Sequence, residues 1–427
     1  MHKATIAIFT STFPYYPGEQ FIEPEIAHWS NLDWAHVVLC PYTARGDARS
    51  VPDDIEIFIG RRGQKLHKLW CAALALKSAL FWRELHYLRS IGKLSLATAS
   101  QAIRAVANTL AATAKMRQIS HHLGHIDIAY CYWNAEQAYA ACLLKRQGKI
   151  STVLSRAHRF DLYEQRRPRE YMPLKRQFIS DFDVVYAISE QGRRYLADTY
   201  GFSEDRLSVS RLGVNVAKPQ ARASGDGVSR MLSVSFCVPV KRIDLIIDAI
   251  YVVAKMQPNR RFEWAHIGDG PLRAELETLA KKRLSTLSNV DWRFTGMLSN
   301  ENVLSFYDEN PVDIFINCSE SEGVPVSIME AMAHGVPAIA PRVGGIPELV
   351  DATCGELLSL DFKSTDVAAA IARLTGEEAL HYRLAARGRV SDLYNASKNF
   401  SGLVADVKKL SEVALTRRSD ETALGRV

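Results

Sequence analysis

Two carboxylates eight residues apart, Glu322 and Glu330, stand in the stretch SESEGVPVSIMEAMAHG, residues 319–335. A pair of acids can divide into a general acid and a base or nucleophile, or each can act separately as a hydrogen-bond acceptor for hydroxyl groups. Local signals favour the second use. Glu322 follows the apolar run VDIFINC (312–318) and precedes Gly323 and Pro325, types that suit a close backbone approach and the start of a helix. The run VSIMEAMAH then reads as that helix, so Glu330 lies more than a turn inside it and the two acids point to different places. N–H groups of residues 323–327 would face out from the positive end of the helix dipole, an anion site with a carboxylate on its rim. Phosphate fits the helix end, and carboxylates fit the hydroxyls of two sugars. The plainer alternative is an acid favoured by the dipole and an ordinary helix glutamate.

The elements that must position these acids alternate in type. Short β-branched or aromatic runs, ATIAIFT (4–10), WAHVVLC (34–40), IDIAYCY (126–132), STVLSRA (151–157) and DVVYAIS (183–189), are separated by segments of helical period. A Pro-, Gly- and Ala-rich stretch follows at 215–227. The pattern then restarts with RMLSVSF (230–236), RFEWAHI (261–267), VDWRFTG (290–296), VDIFINC and VPAIAPR (336–342). The expected fold is α/β, two doubly wound units with mostly parallel sheets. Such sheets bind ligands at the carboxyl ends of their strands, which here would line a cleft. The expected domains are 1–216, a linker at 217–229, a second domain at 230–398, and a terminal helix and tail at 399–427. The stripe Phe400, Leu403, Val404, Val407 and Leu410 marks that helix, and the tail after Thr416 is expected to fray.

At 427 residues and 47% hydrophobic, the chain has the bulk for two cores. Its charge is uneven: 28 Lys+Arg against 20 Asp+Glu in residues 1–217, and 25 against 27 in 218–427. The basic half should meet an anionic partner. Seven scattered cysteines form no zinc or redox spacing and suggest reduced thiols in the cytoplasm. The amino-terminal apolar run breaks at Pro14 with no cleavage site, and no window offers the roughly 20 apolar residues of a spanning helix. The segment Arg61 to Lys93 carries eight Lys+Arg and one acid, with Leu66, Leu69, Trp70, Ala73, Leu76 and Leu80 on one helical stripe. It reads as an interfacial helix on an anionic membrane, with Arg61, Arg62, Lys65 and Lys68 as the contacts, or as a core-facing helix with a solvated basic face. Interleaved aromatic and basic residues of the nucleic-acid type are missing, which argues against a nucleic-acid partner.

The motifs GDGPLRAEL (268–276), FTG (294–296), EGVPVSIMEAMAHGVPAIA (322–340) and GGIPELV (344–350) stand in a fixed order. In them the chain resembles the retaining glycosyltransferases of family 4, which have the GT-B fold and are common in bacterial polysaccharide biosynthesis. The resemblance implies a hexosyltransferase moving a sugar from a UDP- or GDP-sugar donor to an acceptor hydroxyl, with retention at the anomeric carbon. It implies that Glu322, Gly323, Val324, Pro325 and Val326 hold the donor sugar and phosphate, and that Glu330 holds the ribose. Lys241 matches the lysine that neutralises the donor diphosphate. Phe236 stands where the family has an arginine, and Arg242 is the residue that could supply the missing charge. In the first half, Gly18 remains from a glycine-rich loop under the donor phosphate, and His158 matches a histidine that reaches the donor sugar.

The catalytic set implied is therefore His158, Lys241 and Glu322, with no cofactor and no metal. The pair Asp181 and Asp183 reads as a capped loop rather than a metal site. A lipid-linked or oligosaccharide acceptor on the inner face of the plasma membrane is the expected partner, and the product a surface polysaccharide, lipopolysaccharide or glycolipid. Phe236 and the missing second loop glycine leave as an alternative a non-catalytic nucleotide-sugar-binding or partner subunit of the same fold, and a sugar-nucleotide epimerase would use the same cleft without an acceptor.

Overall fold

The computed structural model describes residues 3–16, 18–60, 65–216, 221–376 and 379–424, with the side chains of 65–69, 417 and 419–424 outside the description. The chain divides into two compact units, Met1–Ser210 with Phe400–Val427, and Arg211–Asn399.

The first unit holds strands β1 (Ala4–Thr10), β2 (Ala35–Pro41), β3 (Glu56–Ile57), β4 (Ile126–Cys131), β5 (Ile150–Ala157), β6 (Val184–Ala187) and β7 (Leu207–Val209). They form one sheet in the order β3-β2-β1-β4-β5-β6-β7, and every pairing is parallel. Alternation along β1 explains why both faces are covered. Ile6 and Ile8 enter one apolar cluster with Trp29 and Tyr130, while Ala7 and Phe9 enter another with Met116 and Phe178. The helix Ala396–Leu424 brings Leu403, Val404 and Val407 into the first of these clusters, with Phe400 fully buried, as its stripe predicts. That helix continues to Leu424, past the Thr416 at which fraying is expected; Arg418 reaches the buried Asp127 at 3.3 Å.

The basic segment differs from the single stripe expected of it. It forms two helices, Lys65–Lys77 and Ala79–Ser90, because Ser78 leaves helical geometry and its Oγ accepts the Leu80 N–H at 3.2 Å. Cys71, Ala75, Leu80 and Phe81 turn inward, and Trp70, Leu76 and Trp82 are 63%, 50% and 60% exposed. Leu80 thus belongs to the core and not to an outward stripe.

The second unit holds β8 (Val228–Val234), β9 (Arg261–Ile267), β10 (Val290–Gly296), β11 (Ile314–Ile316), β12 (Ala338–Pro341) and β13 (Gly355–Leu358), ordered β10-β9-β8-β11-β12-β13 and again all parallel. Residues 217–220 of the expected linker lie outside the described residues. Within Ala221–Ser229, Arg222, Ala223, Gly225, Asp226 and Gly227 are exposed, while Ala221 donates its N–H to His334 O, Ser224 N–H meets the Asp313 carboxylate at 2.9 Å, and β8 begins at Val228.

Candidate functional site

In the second unit the loops after β8, β9, β11 and β12 meet through backbone contacts that small residues permit. A Cβ on Gly268 would fall 1.8 Å from Ser235 O, and one on Gly344 would fall 2.0 Å from Glu322 O. Cys237 donates to Asp269 O at 2.9 Å and Gly345 to Gly323 O at 2.7 Å. The motifs read from sequence as separate blocks are therefore one interlocked set of loops.

Within it, Lys241 ends a 3-10 turn after β8, and Glu322 lies in the loop after β11. Lys241 Nζ is 2.5 Å from Glu322 Oε1, and Asn317 Nδ2 approaches the same oxygen at 3.4 Å. Glu320 N–H donates to Val240 O, tying the two loops together behind the pair. The helix Val326–Ala333 follows, with Pro325 as its N-cap residue in extended geometry. Buried Ile328 and Met329 anchor it in the unit's interior. Among the described residues no hydrogen bond is recorded from the N–H groups of Gly323, Val324, Val326 or Ser327. The arrangement offers an ammonium, a carboxylate and a helix N-terminus in one loop set, groups suited to an anionic ligand that also carries hydroxyls.

Glu330, the fifth residue of that helix, is buried and accepts from Asn300 Nδ2 at 2.7 Å. Tyr307 lies close enough that burial, and then the Glu330 charge, push its phenol well above the usual range. Asn300 and Asn317 were not legible from the sequence; the only hint for Asn300 is its place beside Ser299, which caps its helix. Arg242 has partners of its own: its guanidinium pairs with Asp244 and Glu320, both at 3.1 Å. It also holds φ +47°, a left-handed conformation that glycine adopts more readily. Phe236 is 58% exposed.

In the first unit His158 follows β5 directly and is buried, its ring stacked on Tyr132 (5.2 Å between centroids) and tilted against Trp133. Burial, with Arg156 nearby, holds the imidazole down to about 3, against a hydrogen bond to the Tyr132 backbone. His158 is therefore neutral at physiological pH, and Nε2 has no hydrogen-bond partner among the described residues. Asp161 accepts the His158 N–H and the Asn134 N–H, both at 2.6 Å, and Lys175 Nζ donates to Asn134 O at 2.9 Å. Three buried groups thus brace the loop that carries the histidine. Gly18 turns the chain at φ +96°. The next residue, Glu19, takes the N–H groups of Ser11, Thr12 and Phe13 at 3.0, 2.6 and 2.6 Å. These are backbone donors of the loop that the resemblance reserves for phosphate, and here a side chain already holds them.

Two family models match: "Glycosyl transferases group 1" over residues 229–377 and "Glycosyltransferase Family 4" over residues 100–218. Both halves of the chain are thus similar to glycosyltransferases. AmsK, an amylovoran biosynthesis glycosyltransferase of Erwinia amylovora, is 27% identical over 62% of this chain and 65% of its own length. Among solved structures, the lipopolysaccharide outer core galactosyltransferase WaaB superposes with TM-score 0.68 at 17% identity, over 94% of this chain and 99% of that one. Anabaena HepE, solved with UDP and glucose, superposes with TM-score 0.62 at 15% identity, over 94% and 98%. The fold is GT-B.

Other residues singled out in the sequence fall outside the loop set. Arg61 and Arg62, and the side chains of Lys65 and Lys68, lie outside the described residues. Asp181 pairs with Arg146 and Asp183 with Lys145, both at 2.6 Å, so each acid of that pair is engaged in holding structure. All seven cysteines are buried and none forms a disulfide. Among the described residues no helix is long and apolar enough to cross a membrane.

Proposed function

We propose that the chain transfers a sugar from a UDP- or GDP-sugar to an acceptor hydroxyl with retention at the anomeric carbon. The observation that carries this reading is the Lys241–Glu322 pair at the N-terminus of the helix Val326–Ala333. In the reaction the bond from the anomeric carbon to the diphosphate oxygen breaks, and the bond to the acceptor oxygen forms on the same face. Negative charge grows on the departing diphosphate, and the Lys241 ammonium with the N–H groups of Gly323, Val324, Val326 and Ser327 is suited to stabilise it. That phosphate takes the acceptor's proton, so no side-chain base is required, and these groups leave no need for a metal. Glu322 accepts from sugar hydroxyls and Glu330 from the ribose. Neutral His158 presents Nε2 as an acceptor to the donor sugar.

AmsK's role in amylovoran biosynthesis supports a surface polysaccharide, lipopolysaccharide or glycolipid product and a lipid-linked or oligosaccharide acceptor. The exposed Trp70, Leu76 and Trp82 support peripheral attachment to the inner face of an anionic membrane. Incubation with radiolabelled UDP- and GDP-sugars and a polyprenyl-linked acceptor should give transfer or slow donor hydrolysis. Nucleotide binding without either would favour the non-catalytic reading that Phe236 motivates, and isomerised donor would indicate an epimerase.

A further inference from the structure

Immediately after His158 the chain runs through a short helix, Arg159–Leu162, and two 3-10 turns, Glu164–Arg166 and Pro168–Glu170. This stretch is rich in arginine, and its acids are committed elsewhere. Asp161 is buried under His158. Glu164 pairs with Arg176 at 3.3 Å and accepts the Met172 N–H. Glu170 faces Lys93 at 3.8 Å. Among the described residues no carboxylate lies within ion-pair distance of Arg167 or Arg169.

Arg167 is half-buried, with its guanidinium 4.1 Å above the ring of Phe160, which is itself 63% exposed. Stacking on a ring face fixes the plane of a guanidinium while leaving its edge N–H groups free to take two oxygens of one anion. Arg169 (φ +62°) and Glu170 (φ +47°) are consecutive non-glycine residues in the left-handed region. Such conformations persist where surroundings impose them, and they cluster at ligand clamps. Here Lys93 Nζ holds the turn by donating to Glu170 O at 2.8 Å. Arg167 lies close enough to act on the interior: Lys175 is held down to about 8 chiefly by burial, opposed by Asp161, Glu136 and Glu164, with Arg167 lowering it further.

We propose that Arg167 and Arg169, with Arg167 oriented by Phe160, form a binding subsite for a phosphate group carried by the acceptor. The proposal rests on the reading of the chain as a glycosyltransferase and names the chemistry of its acceptor: a hydroxyl compound bearing a phosphate or diphosphate. An uncharged oligosaccharide would leave both arginines without a partner.

A binding measurement that needs no donor tests the subsite apart from turnover. Isothermal titration of the full chain with undecyl diphosphate should show saturable binding, and with undecyl glucoside much weaker binding. Arg167→Gln combined with Arg169→Gln should weaken undecyl diphosphate binding by about tenfold to a hundredfold, the range for losing a charge-assisted pair. Arg167→Lys should restore part of it, and nucleotide affinity should stay unchanged. In kinetics the double variant should raise KM for a diphosphate-linked acceptor while leaving donor hydrolysis and KM for the same sugar on a neutral chain unchanged. Equal effects on the charged and neutral compounds, or none, would overturn the proposal. Inorganic phosphate competing as well as undecyl diphosphate would reassign the site to free phosphate. Loss of flotation with phosphatidylglycerol vesicles at unchanged undecyl diphosphate affinity would reassign it to bilayer lipids. Diphosphate binding by a chain that fails to transfer sugar would leave the subsite standing and remove the enzymatic reading instead.

Discussion

Lys241 and Glu322, 81 positions apart, form an ion pair at 2.5 Å on loops that follow two neighbouring strands, β8 and β11. The two groups assigned to leaving-group charge and to sugar hydroxyls are thus electrostatically coupled. Removal of either changes the environment of the other. Lys241→Ala should lower kcat/KM by about 10²–10³, the scale of losing one preorganised donor to a developing oxyanion. Glu322→Ala should also reduce it, and the double variant should lose less than the product of the single losses. Strict multiplicativity in a kinetic cycle would show that the pair does not act as a unit.

Glu330 is buried and held by Asn300, so its carboxylate has a defined orientation. Glu330→Ala should weaken binding of UDP or GDP by about tenfold or more, the range for a hydrogen bond to a charged group. Asn300→Ala should produce a smaller loss in the same titration. Unchanged nucleotide affinity in Glu330→Ala would remove the ribose assignment.

Phe236 stands exposed where the family carries a cation, and Arg242 already serves two carboxylates. Phe236→Arg should therefore tighten nucleoside-diphosphate binding several-fold and steepen its dependence on salt. Arg242→Ala should cost less than Lys241→Ala in kcat/KM. An equal loss in both would mean that Arg242 leaves Asp244 and Glu320 to serve the donor.

The folded-state pKa of His158 is depressed from 6.5 to about 3, chiefly by burial. Between those values the unfolded chain binds a proton that the folded chain does not, so stability is full at neutral pH and falls as pH drops from about 6.5. Asp161, raised to about 6 by burial, works in the opposite direction between 3.8 and 6. His158→Phe should flatten the fall in urea midpoint between pH 7 and 5. The pH–rate profile of the unaltered chain should show no imidazole limb near 6.5 that disappears in His158→Asn.

The proposed membrane attachment calls on exposed apolar residues as well as on basic ones. Trp70→Ser with Trp82→Ser should reduce flotation with anionic liposomes, and replacing Arg61, Arg62, Lys65 and Lys68 by Ser should abolish it. Failure of the unaltered chain to float would end the proposal.

Ten strands were legible because period-two or continuous apolar runs report a sheet covered on both faces. The strands β3, β7 and β13 were missed. Two or three residues at Glu56–Ile57 and Leu207–Val209 are too few for a period, and Gly355–Leu358 contains a glycine and a glutamate. The break at Ser78 was equally hidden, since an apolar stripe can run through a residue that ends one helix and caps the next.

Residue types and their order along the chain determined the parallel α/β class and the motifs in which Lys241, Glu322, Glu330 and His158 stand, because these are local properties of spacing and polarity. Pairing between distant residues was decided only by the tertiary structure. Lys241 meets Glu322, Glu330 meets Asn300, Arg242 is taken by Glu320, and Glu19 occupies the amides beside Gly18. A charged group's partner depends on which loops the sheet order places side by side, and that order joins β8 to β11 across 80 residues. The same physical reason separates the arginines. Those of the stretch after β5 look alike in sequence, and folding left Arg167 and Arg169 without an acid by turning Glu164 toward Arg176 and Glu170 toward Lys93.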